Sequence, residues 1–107
     1  MRKKRSDRNH VIYEIQNSIT GATYLGVTQA IGRAFIYSAL RRFQKHVSRS
    51  NRENKSWALY KDMRKYGADV YNVYLIEVVK GKAAVHQLET ELLRTGAYKL
   101  NSTKIKK

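Results

Sequence analysis

Arg42 and His46 stand four residues apart, so any helix that contains them places both on one face, one turn from each other. A guanidinium can grip a phosphate through two parallel hydrogen bonds, and an imidazole beside it can move a proton or contact the same group. The same spacing also fits a solvated basic face packed by Phe43 and Val47. Tyr13 and Tyr24 add two phenols. With a reference pKa of ~10, a phenol acts as a base only where cations favour the phenolate, whereas orienting a water by hydrogen bond asks less of it. Glu89 is marked by helical geometry. At ~100° per residue, with Val85 at zero, Leu88, Leu92 and Leu93 fall at about −60°, −20° and +80°. Glu89 falls at about +40°, within that apolar stripe, and Glu91 at about −120°, outside it. A carboxylate on an inward face needs a partner: a metal at a cleft, or a lysine at the helix edge.

The chain has 107 residues, 22 Lys and Arg against 8 Asp and Glu, a net charge of +14 and no cysteine. Disulfides, thiol nucleophiles and zinc-thiolate sites are therefore excluded. So high a charge on one small domain opposes compaction unless a polyanion is the usual partner. Residues 33–65 carry ten basic groups and two acids, and both ends are basic, whereas 11–32 and 66–98 are nearly neutral. That distribution suits a surface that tracks phosphates, which favours nucleic acid over an anionic membrane. The apolar stretch after the basic start is cut by Glu14 and Gln16, and no run reaches transmembrane length. An intracellular protein is expected.

The elements that must position these residues can be read from periodicity. Residues 1–10 read as a flexible basic arm and 102–107 as a basic tail, around one domain at 11–101. Alternation predicts a strand at 11–15 and a returning strand at 23–27, joined by the turn residues Asn17, Ser18, Thr20 and Gly21. With Ser18 and Ile19 at the tip, Tyr13 lies directly opposite Tyr24. Gly26 permits close backbone approach beside Tyr24. Ile36, Ala39, Leu40, Phe43 and Val47 form the apolar stripe of a helix over 30–49, with Gly32 a candidate start. A loop over 48–56 leads to a helix at 57–66 with Ser56 or Asn54 as its cap and Gly67 as its stop. Trp57 and Tyr60 on it suit core packing better than stacking on bases. A third strand follows at 70–79, then a helix at 82–95 closed by Gly96. The order β-β-α-α-β-α describes a small single α+β domain with a three-stranded antiparallel sheet flanked by helices.

Val11-Ile12-Tyr13, followed after a hairpin's length by Tyr24-Leu25-Gly26, resembles the paired signature of the GIY-YIG nuclease superfamily. Arg42-Phe43-Gln44-Lys45-His46 resembles its Arg-aromatic-x-x-His helix, Glu89-Thr90-Glu91-Leu92-Leu93 its Glu-x-x-x-apolar helix, and 98–101 its Asn-bearing closing segment. Val11 stands for the usual glycine and Leu25 for the usual isoleucine. The segment between Gly26 and Arg42 is longer than in compact members, which leaves Arg33, Arg41 and Arg42 as rivals for one catalytic arginine. The loop before Trp57, where some members place a histidine, offers Asn54 and Lys55, so a histidine step falls to His46 or is absent.

The resemblance implies a metal-dependent DNA endonuclease, whether phage-borne, mobile-element-borne or repair-associated, that cuts phosphodiesters to leave 5′-phosphate and 3′-hydroxyl ends. It implies Mg²⁺ (or Mn²⁺) held by Glu89, with Tyr13, Tyr24, Arg42, His46 and Glu89 as catalytic residues. Asn101 is expected as a structural amide. Arg33, Arg41, Lys45, Arg49, Arg52 and Lys55 are expected on the DNA, and no membrane or small-molecule cofactor is expected. Monomer and homodimer stay open. The alternative is a non-catalytic nucleic-acid-binding module of the same fold.

Overall fold

The first hairpin turns where Asn17 ties it off. The computed structural model describes residues 8–30, 35–52 and 57–101, with Arg52 described by its backbone alone. Strand β1 (Asn9–Asn17) runs antiparallel to β2 (Thr23–Gln29), with Tyr13 opposite Gly26 and Ile15 opposite Tyr24. The expected Tyr13–Tyr24 pairing is therefore displaced by two residues. The cause is a wider loop. The buried Asn17 side chain accepts hydrogen bonds from the backbone N–H groups of Ile19 (2.8 Å) and Thr20 (3.2 Å). The Asn17 carbonyl accepts from Gly21, which adopts φ +79°, a conformation that favours glycine. Ser18 to Gly21 thus form the loop. The two tyrosines still share a face, as diagonal neighbours with ring centroids 6.3 Å apart.

The third strand, β3 (Tyr71–Lys80), pairs antiparallel with β1 and completes a sheet of order β2-β1-β3. It begins one residue later than expected, because Val70 closes a single 3-10 turn, Ala68–Val70. Residues 9 and 10, expected in the arm, belong to β1, and His10 is buried. Period-two alternation gives the sheet two apolar faces. Val11, Tyr13, Ile15, Tyr24, Tyr71 and Val73 face a layer made by α1 (Phe35–Arg52) and α2 (Ala58–Tyr66). Ile12, Leu25, Val27 and Val79 face α3 (Lys82–Leu93), through Val85, Leu88, Leu92 and Leu93.

Helix α1 is rotated from the expected stripe. Ile36 and Leu40 are 44% and 40% exposed, whereas Ser38, His46 and Ser50 are buried beside Ala39. With Ala39 at zero, Phe43, His46 and Ser50 fall at about +40°, −20° and +20° and Leu40 at about +100°. The inner face follows the partners its side chains find there: Phe43 packs on Tyr71 and His46 bonds two tyrosines. Helix α2 starts after Trp57, which makes no side-chain capping bond; Ser56 and Asn54, the expected caps, and Gly32 lie outside the described residues. Helix α3 ends at Leu93, two residues before the expected end.

The two edges of the sheet differ. Along β2, the Asn101 side chain accepts from Leu25 N–H (2.8 Å) and donates to Leu25 C=O (2.9 Å), and Leu100 N–H donates to Thr23. The segment 97–101 therefore closes that edge. Along β3 the register slips between Ile12 and Tyr13, a bulge that bends the outer strand. Among the described residues, no helix is long and apolar enough to cross a membrane.

Candidate active site

Gly26 lets two aromatic rings meet over the backbone of β2. A Cβ there would overlap Cζ and Oη of Tyr13 and come 2.8 Å from Cε2 of Tyr24. The close approach expected of Gly26 is present, and Tyr13 needs it as much as Tyr24 does. Tyr13 is fully buried, and its hydroxyl lies 3.1 Å from Nε2 of His46; Nδ1 of the same ring lies 3.3 Å from the hydroxyl of Tyr60. Burial, then the nearby guanidinium groups of Arg42 and Arg49, lowers the His46 pKa to about 4. The ring is therefore neutral at pH 7, donating from one nitrogen and accepting at the other. The hydrogen-bond chain Tyr13–His46–Tyr60 runs in one direction or its reverse, according to tautomer.

Both site phenols are pushed up. For Tyr13 burial dominates, followed by Tyr24, and Arg42 opposes them without prevailing. For Tyr24 burial again leads, Arg42 pulls down and Glu89 pushes up. Desolvation outweighs the cation, so the protonated phenol is the resting form of each. In that form each can donate one hydrogen bond and accept others.

Tyr24, Arg42, His46, Glu89 and Asn101, drawn from four segments of the chain, line one pocket of about 390 Å³. It lies along β2, so Glu89 of α3 meets the side chains of α1. Arg49, Trp57, Leu59, Tyr60 and Leu100 complete the wall. The helix angles are borne out: Glu89 is 25% exposed and in the pocket, and Glu91 is exposed outside it. Oε1 of Glu89 lies 3.3 Å from Nδ1 of His86, one turn earlier. With His46 neutral, Arg42, Arg49 and Glu89 leave the pocket cationic, which favours a phosphate.

Of the three rival arginines, Arg42 is in the pocket. Arg41 points away, its guanidinium 5.9 Å from the Tyr37 ring, and Arg33 lies outside the described residues. Lys45 is exposed beyond the pocket wall. Lys55 and the side chain of Arg52 also lie outside the described residues, as do the arm up to residue 7 and the tail. Tyr60 and Trp57, expected in the core, divide: Tyr60 is buried and Trp57 is 43% exposed. No spacing rule links Tyr60 to His46, fourteen positions earlier; only the packing of α2 on α1 brings them together.

A resident cation can be tested against the donor set. Among the described residues, no three His, Cys, Asp or Glu side chains converge, and Glu89 is the single carboxylate among the pocket-lining residues. One carboxylate facing open space fits Mg²⁺, which keeps several waters and takes further oxygens from a substrate phosphate, and does not fit a closed zinc cage. The chain matches no protein-family model, no curated protein and no solved structure.

Proposed function

We propose that the chain is a metal-dependent DNA endonuclease of the GIY-YIG type, hydrolysing phosphodiester bonds in the pocket along β2. The observation that carries the reading is the convergence there of Tyr24, Arg42, His46 and Glu89, four of the residues the motif resemblance selects. Glu89 would hold Mg²⁺, which when bound supplies charge compensation at phosphorus and a more acidic water. Arg42 grips the non-bridging oxygens and meets the charge that develops on them. The Tyr24 hydroxyl orients the attacking water. Tyr13, too buried to touch substrate, holds His46, which stays neutral between Arg42 and Arg49 and ties Tyr13 to Tyr60 behind the pocket wall. Water oxygen bonds to phosphorus as the bond to O3′ breaks, one proton of the attacking water passing to the solvent and O3′ taking one from it, giving 5′-phosphate and 3′-hydroxyl ends. One pocket cuts one strand at a time.

The test pairs two changes of identical chemistry. Glu89→Gln should abolish Mg²⁺-dependent nicking of supercoiled plasmid while DNA binding persists or tightens slightly, because a negative charge near phosphate is gone. Glu91→Gln should nick nearly normally. Unaltered nicking in both rejects a metal site on α3. Metal-independent binding with no nicking by the wild-type chain establishes the binding module instead.

A further inference from the structure

Trp57 is a large apolar side chain left on the surface, at the mouth of a pocket otherwise furnished for phosphate. It stands at the residue before α2 and is 43% exposed. Its ring centroid lies 5.1 Å from that of Tyr60, at 45°. Tyr60 is buried and bonded to His46, so the indole is backed by a ring that cannot give way. The pocket wall thus combines charged groups, Arg42, Arg49 and Glu89, with the aromatic rings of Trp57 and Tyr60. Its volume of about 390 Å³ falls among sites that enclose whole small molecules, roughly 300–1,000 Å³. A phosphodiester group alone fills only part of that.

We propose that the partly exposed Trp57 ring in this wall is a subsite for an unpaired nucleobase, stacked against it and belonging to the nucleotide whose phosphate meets Arg42. Stacking uses the π-face that every base has, so the subsite is tolerant of sequence. A base inside a B-form stack cannot enter a pocket beside its own backbone without leaving the helix. The substrate class is therefore DNA with an unpaired nucleotide at the cut: a single strand, a flap or a mismatch. The inference rests on the nuclease reading for the position of the phosphate, and needs no hydrolysis to be tested.

Trp57 is the chain's single tryptophan, so its fluorescence reports on this subsite alone. In EDTA, a short single-stranded oligothymidylate should quench that fluorescence. An oligomer of abasic sites of equal length should bind through charge without quenching, and a fully paired duplex should quench little. By fluorescence anisotropy of labelled probes, Trp57→Ala should weaken oligothymidylate binding about 5- to 150-fold and leave abasic binding nearly unchanged, with Trp57→Tyr restoring most of the loss. Equal quenching by the abasic oligomer, or unchanged oligothymidylate affinity in Trp57→Ala, overturns the subsite. The wild-type fluorescence needs no variant to fold. Base-dependent quenching without nicking of any DNA sinks the nuclease and keeps the subsite; nicking without base-dependent quenching does the reverse.

Discussion

Replacing His46 by glutamine should flatten the acid limb of the protein's stability curve. In the fold, burial and the neighbouring Arg42 and Arg49 hold the imidazole pKa at about 4, against 6.5 for a free histidine. Between those values the unfolded chain binds a proton that the folded chain refuses. Stability therefore rises with pH through this window and is lost as pH falls from 6.5 towards 4. At ~1.36 kcal/mol per pH unit, the histidine accounts for roughly 3 kcal/mol between pH 7 and pH 4. That is a large share of the 5–15 kcal/mol typical of a domain. Glutamine can bond one of the two tyrosine hydroxyls and does not titrate. Urea unfolding followed by circular dichroism at pH 7, 5.5 and 4 isolates the effect, because the acidic groups common to both proteins cancel in the difference. The wild type should lose about 3 kcal/mol more than His46→Gln across the range. Parallel pH profiles for the two proteins would refute the claim that this ring is held neutral.

Gly26→Ala should cost about 1–3 kcal/mol through overlap with the Tyr13 ring, lowering Tm by roughly 5–20 °C in thermal melts. Gly21→Ala meets no atom and should cost only the ~1–2 kcal/mol of a left-handed backbone, without changing the pH profile set by His46. Asn101→Ala strips both hydrogen bonds from Leu25 and should cost about 1–3 kcal/mol. Hydrogen exchange at the Leu25 amide should quicken beyond the global change.

Most of the element order was legible because Val11, Tyr13 and Ile15 mark one face of β1, turn residues separate it from β2, β3 is rich in β-branched and aromatic residues, and Gly67, Gly81 and Gly96 punctuate the helices. Glu89 was legible for the same reason, since one helical angle separates it from Glu91. The register of the hairpin was not, because it depends on Asn17 recruiting two loop amides, a choice that alternation does not encode. Nor was the rotation of α1. Hydropathy alone turns Ile36 and Leu40 inward, whereas the actual inner face buries Ser38, His46 and Ser50, and His46 finds its partners, Tyr13 and Tyr60, on other elements. Arg42 could be separated from Arg41 only once that rotation was known. Trp57 escaped because the helix begins one residue after it, so helical spacing misjudged its side.

The clasp between Asn101 and Leu25 sets an order of events during synthesis. Its partners are 76 residues apart in the chain, an interval of about 4–15 s at roughly 5–20 residues per second. Until the later partner arrives, the outer edge of β2 has an open row of backbone groups, and the pocket lacks the wall that Leu100 and Asn101 provide. The hairpin can close long before the cleft exists. The wall of the cleft is thus complete only when residue 101 reaches its place.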